Sequence, residues 1–225
     1  MKTVILIATL SFAAIAFVGC RGTASNGHSM NHNSMMKNSN SSMNMNGMDH
    51  NSMPKNSNMS MDHSQMKSSP NAGSQPYDLQ FIDTMTAHHQ GAVEMAKMVD
   101  GRTQNPDIKK FASQIVADQE KEIRQMKDWR GRWFSGKPEA INMEMPGMMD
   151  SMKMDMAELK SSKDKDFDLA FIDMMTPHHA GAIAMAKEAQ SKAERAEIKT
   201  LANQIIKAQE SEIKMMADWK SKWSK

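Results

Sequence analysis

The sequence predicts an all-α protein, a four-helix bundle made from one helical hairpin present twice, and three observations lead there. Residue n matches residue n+90 without a gap: "DLQFIDTMTAHHQGAVEMAK" (78–97) answers "DLAFIDMMTPHHAGAIAMAK" (168–187), and residues 107–133 answer 197–223 in the same register. Within these segments apolar residues recur at steps of three and four, the period of a helix face. Strand-like alternation is absent throughout. Two hairpins with apolar stripes bury them against each other as a bundle.

The N-terminal element is a signal. "MKTVILIATLSFAAIAFVG" combines one Lys, an apolar run and small residues, directly before Cys20. The run is short for a membrane span, and a strongly polar stretch follows. "FVGC" carries the small residue wanted before a lipidated cysteine, although Phe17 stands where Leu is more usual. Residues 1–20 therefore read as a lipoprotein signal with Cys20 lipidated; an ordinary secretory peptide cleaved nearby would discard Cys20. Both readings place the protein outside the cytoplasm, in the periplasm or cell envelope, with the membrane reached only through a lipid anchor.

Residues 21–76 contain no Leu, Ile, Val, Phe or other aromatic residue. Such a segment cannot offset the entropy of ordering its backbone and reads as disordered. It nevertheless holds 10 Met and 4 His. "HNSM" occurs at His32–Met35 and His50–Met53, and "HSQM" at His63–Met66. Drift in a low-complexity tract would produce this too; the expectation is auxiliary metal capture by His32, Met35, His50, Met53, His63 and Met66.

The bundle domain spans 77–225, with repeats at 78–133 and 168–223. In the first helix Phe81, Met85, His88, Ala92, Met95 and Val99 form one stripe. In the second, Ile108, Phe111, Ile115, Gln119, Glu122, Met126, Trp129 and Trp133 do so, after the turn chemistry of "GRTQNPD". The connector, 134–167, includes "NMEMPGMMDSMKMDMAEL" with seven methionines; Pro146 and Gly147 imply a break, and 148–159 a short helix. In the second repeat Pro177 replaces Ala87, which is expected to kink the helix or restart it at Thr176.

The chemistry lies in the paired histidines. On a helix Met85 neighbours His88 and His89, and Met95 follows two turns after His88. Met175, His178, His179 and Met185 repeat the layout. The partner helices add Gln119, Glu122 and Met126, and Gln209, Glu212 and Met216, on faces that a plain core would keep apolar. A Glu or Gln beside an imidazole fixes its tautomer and orientation. Buried methionine taken singly is usually packing, but every one of the eight histidines lies either in a repeated pair or in the Met-rich tail. Metal ligation is the more specific reading.

Ligand softness selects the ion. Thioethers suit Cu(I) and by the same logic Ag(I), while imidazole accepts Cu(I) and Cu(II). A chain with 27 Met and one Cys, that one in the signal, fits copper binding in an oxidising compartment. Zinc gains little from Met. A di-iron site needs Glu three residues before His, where this chain has Met85 and Met175. The formal net charge of +2 makes no case for nucleic acid.

These motifs, Phe-Ile-Asp-x-Met-x-x-His-His-x-Gly-Ala-x-x-Met-Ala-Lys followed by Gln-x-x-Glu-Ile-x-x-Met-x-x-Trp, resemble the domain-of-unknown-function 305 family over residues 77–223. The resemblance implies a ferritin-like four-helix bundle of secreted bacterial proteins, some linked to copper and silver resistance. It points to Met85, His88, His89, Met95 and Met126, with Met175, His178, His179, Met185 and Met216, as the matching positions. The expected function is non-catalytic sequestration or transfer of copper and silver ions, with a periplasmic copper exporter or chaperone as partner. A cuprous oxidase and a metal-independent envelope protein with adaptable Met surfaces stand as alternatives. Deleting residues 21–76 is expected to lower the number of bound ions and to leave the tightest site, as read by competition titration. Loss of the tightest site would reverse that assignment.

Overall fold

A computed structural model describes residues 66–151 and 156–223. Cys20, His32, Met35, His50, Met53 and His63 lie outside the described residues. The elements are α1 (Tyr77–Lys97), α2 (Pro106–Trp133), α3 (Met148–Ser151), α4 (Met156–Ser161), α5 (Asp164–Lys192) and α6 (Ala196–Trp223). α1 packs on α2 and α5 on α6, the two hairpins of the repeat, and α1 lies against α5. Among the described residues no helix is long and apolar enough to cross a membrane.

Local chemistry sets where α2 begins. Asn105 caps it, its side-chain oxygen accepting from Asp107 N at 3.0 Å, and Pro106 takes the first helical position, where no N–H is needed. Asp107 at the start and Arg130 and Arg132 at the end complement the helix dipole. Pro177 does not end or restart α5, which is one helix from Asp164 to Lys192. Pro177 and Asp173, four residues earlier, are both exposed, so the missing hydrogen bond falls on the solvent side of the helix.

Two buried clusters make the core. One joins Phe81, Ile82, Met85 and Met126 to Ala182, Met185, Ala186 and Leu201. The other joins Ala92, Met95 and Phe111 to Phe167, Phe171, Met175 and Met216. The start of α1 thus meets the end of α5 and the reverse, an antiparallel pairing. Each fully buried Phe, Leu, Ile or Met contributes about 1.5–3 kcal/mol. Stacked tryptophans repeat at the hairpin ends, Trp129 on Trp133 at 5.1 Å and Trp219 on Trp223 at 5.5 Å between ring centroids.

Polar residues tie each repeat to the other. Asp78, in α1, accepts from Glu194 N at 2.9 Å and Arg195 N at 3.1 Å, in the turn before α6. Its counterpart Asp168, in α5, accepts from Asn105 Nδ2 at 2.8 Å, in the cap of α2. Each hairpin's first carboxylate therefore anchors the other hairpin's turn. Asp83 pairs with Arg130 and accepts from Ala140 N, both at 2.9 Å, which fixes the connector to α1. Burial outweighs these partners and pushes the Asp83 carboxyl above the usual aspartate range. The equivalent Asp173 pairs with Lys220 at the surface.

The sequence reading carries the disordered tail to residue 76, but residues 66–76 are ordered on the connector. Ser69 N donates to Ile141 O at 2.8 Å, Ile141 N to Ser69 Oγ at 3.2 Å, and Met143 N to Ser68 Oγ at 3.0 Å. Hydroxyls and backbone groups hold this segment in place of aliphatic side chains, and Ala72–Ser74 forms one turn of 3-10 helix with Ala72 buried. Met66 is partly buried against the first cluster.

Asp78→Ala should destabilise the fold by about 1–3 kcal/mol, because two N–H groups lose a carboxylate acceptor. Urea unfolding would register it as a lower midpoint with an unchanged slope.

Candidate metal centre

Two imidazoles, His88 of α1 and His178 of α5, meet where these helices pack. His88, His89 and His179 are fully buried and His178 is 1% exposed. The rings of His88 and His178 lie 3.8 Å apart between centroids, tilted by 39°. His88 and His89 are 6.4 Å apart. The sequence reading gives each repeat its own histidine pair, and the fold brings the first histidine of each pair into contact.

The neighbouring helices hold the second histidine of each pair. His89 Nε2 lies 2.6 Å from Glu122 Oε2 and His179 Nε2 lies 2.8 Å from Glu212 Oε2. The first is a hydrogen bond. The second has the distance of a charge contact without hydrogen-bond alignment. A carboxylate in these positions only accepts, so it favours the tautomer with hydrogen on Nε2. The lone pair is then on Nδ1. In both His89 and His179 that atom is buried and has no hydrogen-bond partner among the described residues, so it is left as a donor to an electrophile.

Met85, Met95, Met126, Met175, Met185 and Met216 are all fully buried. Their grouping crosses the repeats: Met85 and Met126 share a cluster with Met185, and Met175 and Met216 share one with Met95. The antiparallel pairing of α1 and α5 is the reason. The Met216 sulfur accepts from Thr176 Oγ1 at 3.7 Å. Glu122 and Glu212 are the carboxylates on the imidazoles, and Gln119 and Gln209 stand in the same groove. That groove, between α2 and α6, has a volume of about 150 Å³ and is lined by Ile115, Gln119 and Glu122 opposite Ile205, Gln209 and Glu212. The Oε1 atoms of Gln119 and Gln209 are buried and have no hydrogen-bond partner among the described residues.

Sequence reasoning missed Ser151, whose Oγ lies 2.9 Å from His88 Nε2. It belongs to the connector, which occurs once, so neither repeat nor periodicity marks it. Asp78 and Asp168 were missable for another reason: they are repeated at n+90, but a polar residue at a helix start reads as solvated. Among the described residues no three His, Cys, Asp or Glu side chains gather as a metal-binding group. The donors that could add to the imidazoles are thioethers, and soft neutral sulfur with imidazole is a donor set for a soft monovalent ion.

The family model described as Domain of unknown function (DUF305) matches residues 23–130 and 131–220. Among solved structures, CopM in the Cu(I)-bound form is 38% identical, with a TM-score of 0.57 over 66% of this chain and 99% of that one. CopM in the Cu(II)-bound form is 40% identical, with a TM-score of 0.57 over 65% and 97% of the two chains. CopM in an Ag-bound form is 37% identical, with a TM-score of 0.55 over 65% and 96%. A DUF305 protein from Streptomyces coelicolor is 29% identical, with a TM-score of 0.58 over 69% and 96%. Uncharacterized protein L153 of Acanthamoeba polyphaga mimivirus is 39% identical over 49 residues, and the match spans 32% of that relative and 22% of this chain.

Glu122→Ala should destabilise the fold by about 1–3 kcal/mol by stripping the buried His89 N–H of its partner. Glu212→Ala, which removes a contact without hydrogen-bond alignment, should cost less. Parallel urea titrations of the two variants would check the order.

Proposed function

The chain belongs to the DUF305 family, and we propose that it is a non-catalytic binder of soft metal ions outside the cytoplasm, taking up Cu(I) as well as Ag(I) and Cu(II). The observation that carries this reading is the burial of all four histidines, with His88 against His178. Burying an imidazole costs free energy unless its polar atoms are paired, yet the Nδ1 atoms of His89 and His179 face the interior without a hydrogen-bond partner among the described residues. A cation there gains a lone pair that the fold has already oriented. Buried methionines from both repeats are the soft donors of the same core, and Glu122 and Glu212 balance charge while orienting the rings.

The likeness to CopM, solved with Cu(I), Cu(II) and Ag, supports the choice of ions. The apolar N-terminal run ending at Cys20 supports an extracytoplasmic, lipid-anchored protein of the envelope. Sequestration in metal resistance, or transfer to an exporter or chaperone of the same compartment, would follow from such binding. The tail's His and Met add flexible capture at high local concentration. The oxidase alternative differs in one observable, oxygen consumption on adding Cu(I), which this reading expects to be absent.

The deciding experiment is an anaerobic Cu(I) titration of the full chain against a chromophoric chelator, beside a variant carrying His88→Ala, His89→Ala, His178→Ala and His179→Ala. The variant should lose the tightest ions and keep only weaker capture, an apparent affinity lower by about tenfold or more. Equal competition by both chains would assign binding to methionine alone and remove the histidines from the site.

A further inference from the structure

The connector between the repeats reaches the metal centre itself. Ser151 is 1% exposed and its Oγ lies 2.9 Å from His88 Nε2. The same hydroxyl donates to the Met148 carbonyl oxygen at 2.8 Å. A hydroxyl has one proton, so with that proton on Met148 the oxygen accepts from His88. His88 Nε2 then carries the hydrogen and Nδ1 the lone pair, the tautomer that Glu122 imposes on His89.

Met148 stands one helical turn before Ser151, on the same face of α3. It is fully buried and shares a cluster with Met85, Met126 and Met185. Its neighbour Met149 is 57% exposed, so the turn separates one methionine for the interior from one for solvent.

Two glycines make this approach possible. Gly147 has φ +80°, and a Cβ on it would lie 2.6 Å from Gly181 Cα. A Cβ on Gly181 would lie 2.6 Å from both Gly147 O and Ser151 Cβ. Gly181 is two residues beyond His179, so the connector backbone rests directly on α5 beside the histidines. Pro146 and Gly147 therefore set the break that sends Met148 and Ser151 inward.

We propose that Met148 is an additional thioether ligand for a soft monovalent ion at the His88 end of the centre, with Ser151 as the residue that positions His88. The proposal rests on the copper and silver reading above and adds an inequality to it. The connector occurs once, so the two pseudo-equivalent histidine pairs have different sulfur supplies. The His88–His89 end takes the first Cu(I) or Ag(I), and the His178–His179 end follows.

The test begins with the unaltered full chain labelled at methionine methyl carbons. Addition of the first equivalents of Ag(I) should shift the Met148 methyl resonance together with that of Met85; Met148→Leu, which conserves volume, supplies the assignment. Anaerobic Cu(I) competition then compares two backgrounds. With His178→Ala and His179→Ala, adding Met148→Leu should weaken binding about tenfold or more. With His88→Ala and His89→Ala, the same substitution should change little. Ser151→Ala should alter the ring-nitrogen shifts of His88, a tautomer signature that a packing role would not move. A Met148 resonance that stays fixed while Met85 moves, or equal weakening in both backgrounds, overturns the ligand assignment and leaves the metal centre standing. If neither methyl moves and the histidine variants compete like the native chain, the metal centre itself is wrong.

Discussion

Four imidazoles buried in one core are the constraint from which much of the architecture follows. A buried ring nitrogen without a partner costs free energy, so the helices around the histidines must bring acceptors to them. α2 and α6 do so with Glu122 and Glu212, whose side chains keep 19% and 18% of their exposure. Partial exposure lets each carboxylate retain some hydration beside a buried imidazole, a lesser penalty than full burial of the charge. These contacts lock α1 to α2 and α5 to α6. The close approach of His88 and His178 lies on the remaining contact, α1 on α5.

Repetition explains why this arrangement is economical. Pairs formed in one hairpin recur in the other at n+90: Lys97 with Glu120 and Lys187 with Glu210 at the surface, His89 with Glu122 and His179 with Glu212 inside. Asp78 and Asp168 go further, because each binds the turn of the opposite hairpin. Neither hairpin's start is satisfied by its own repeat, which couples them. The connector breaks the symmetry. Its Ala140 N–H bonds Asp83, its Ile141 and Met143 hold residues 68 and 69, and its Ser151 contacts His88. A duplicated scaffold with one unduplicated insertion thus has two related but unequal halves.

Much was legible in the sequence because it is local. The helices, the hairpins and the burial of Met85, His88, Met95 and Met126 follow from residues three and four apart sharing a face. The n+90 match and the doubled histidine motif gave the family. Glu122 and Glu212 were legible as partners because their positions on the second helix faced the interior stripe. The restart expected at Pro177 does not occur: proline's local cost says nothing of which face of the helix it falls on, and here Pro177 and Asp173 are both exposed. Residues 66–76 were misread because composition counts side chains available for burial and not the N–H and hydroxyl groups a neighbouring segment can satisfy.

By itself the sequence determined a doubled helical hairpin, its helix faces and the histidines and methionines on them. Only the tertiary structure decided which of those side chains meet. The antiparallel pairing of α1 with α5 put Met185 with Met85 and Met95 with Met175, and set His88 of one pair against His178 of the other. The contact of Gly147 with Gly181 carried Met148 and Ser151 from a polar-looking connector to His88. The division has a physical cause: helix periodicity is written in spacings of three and four residues, whereas the meeting of residues far apart in the chain depends on which surfaces exclude water together and how closely two backbones can approach.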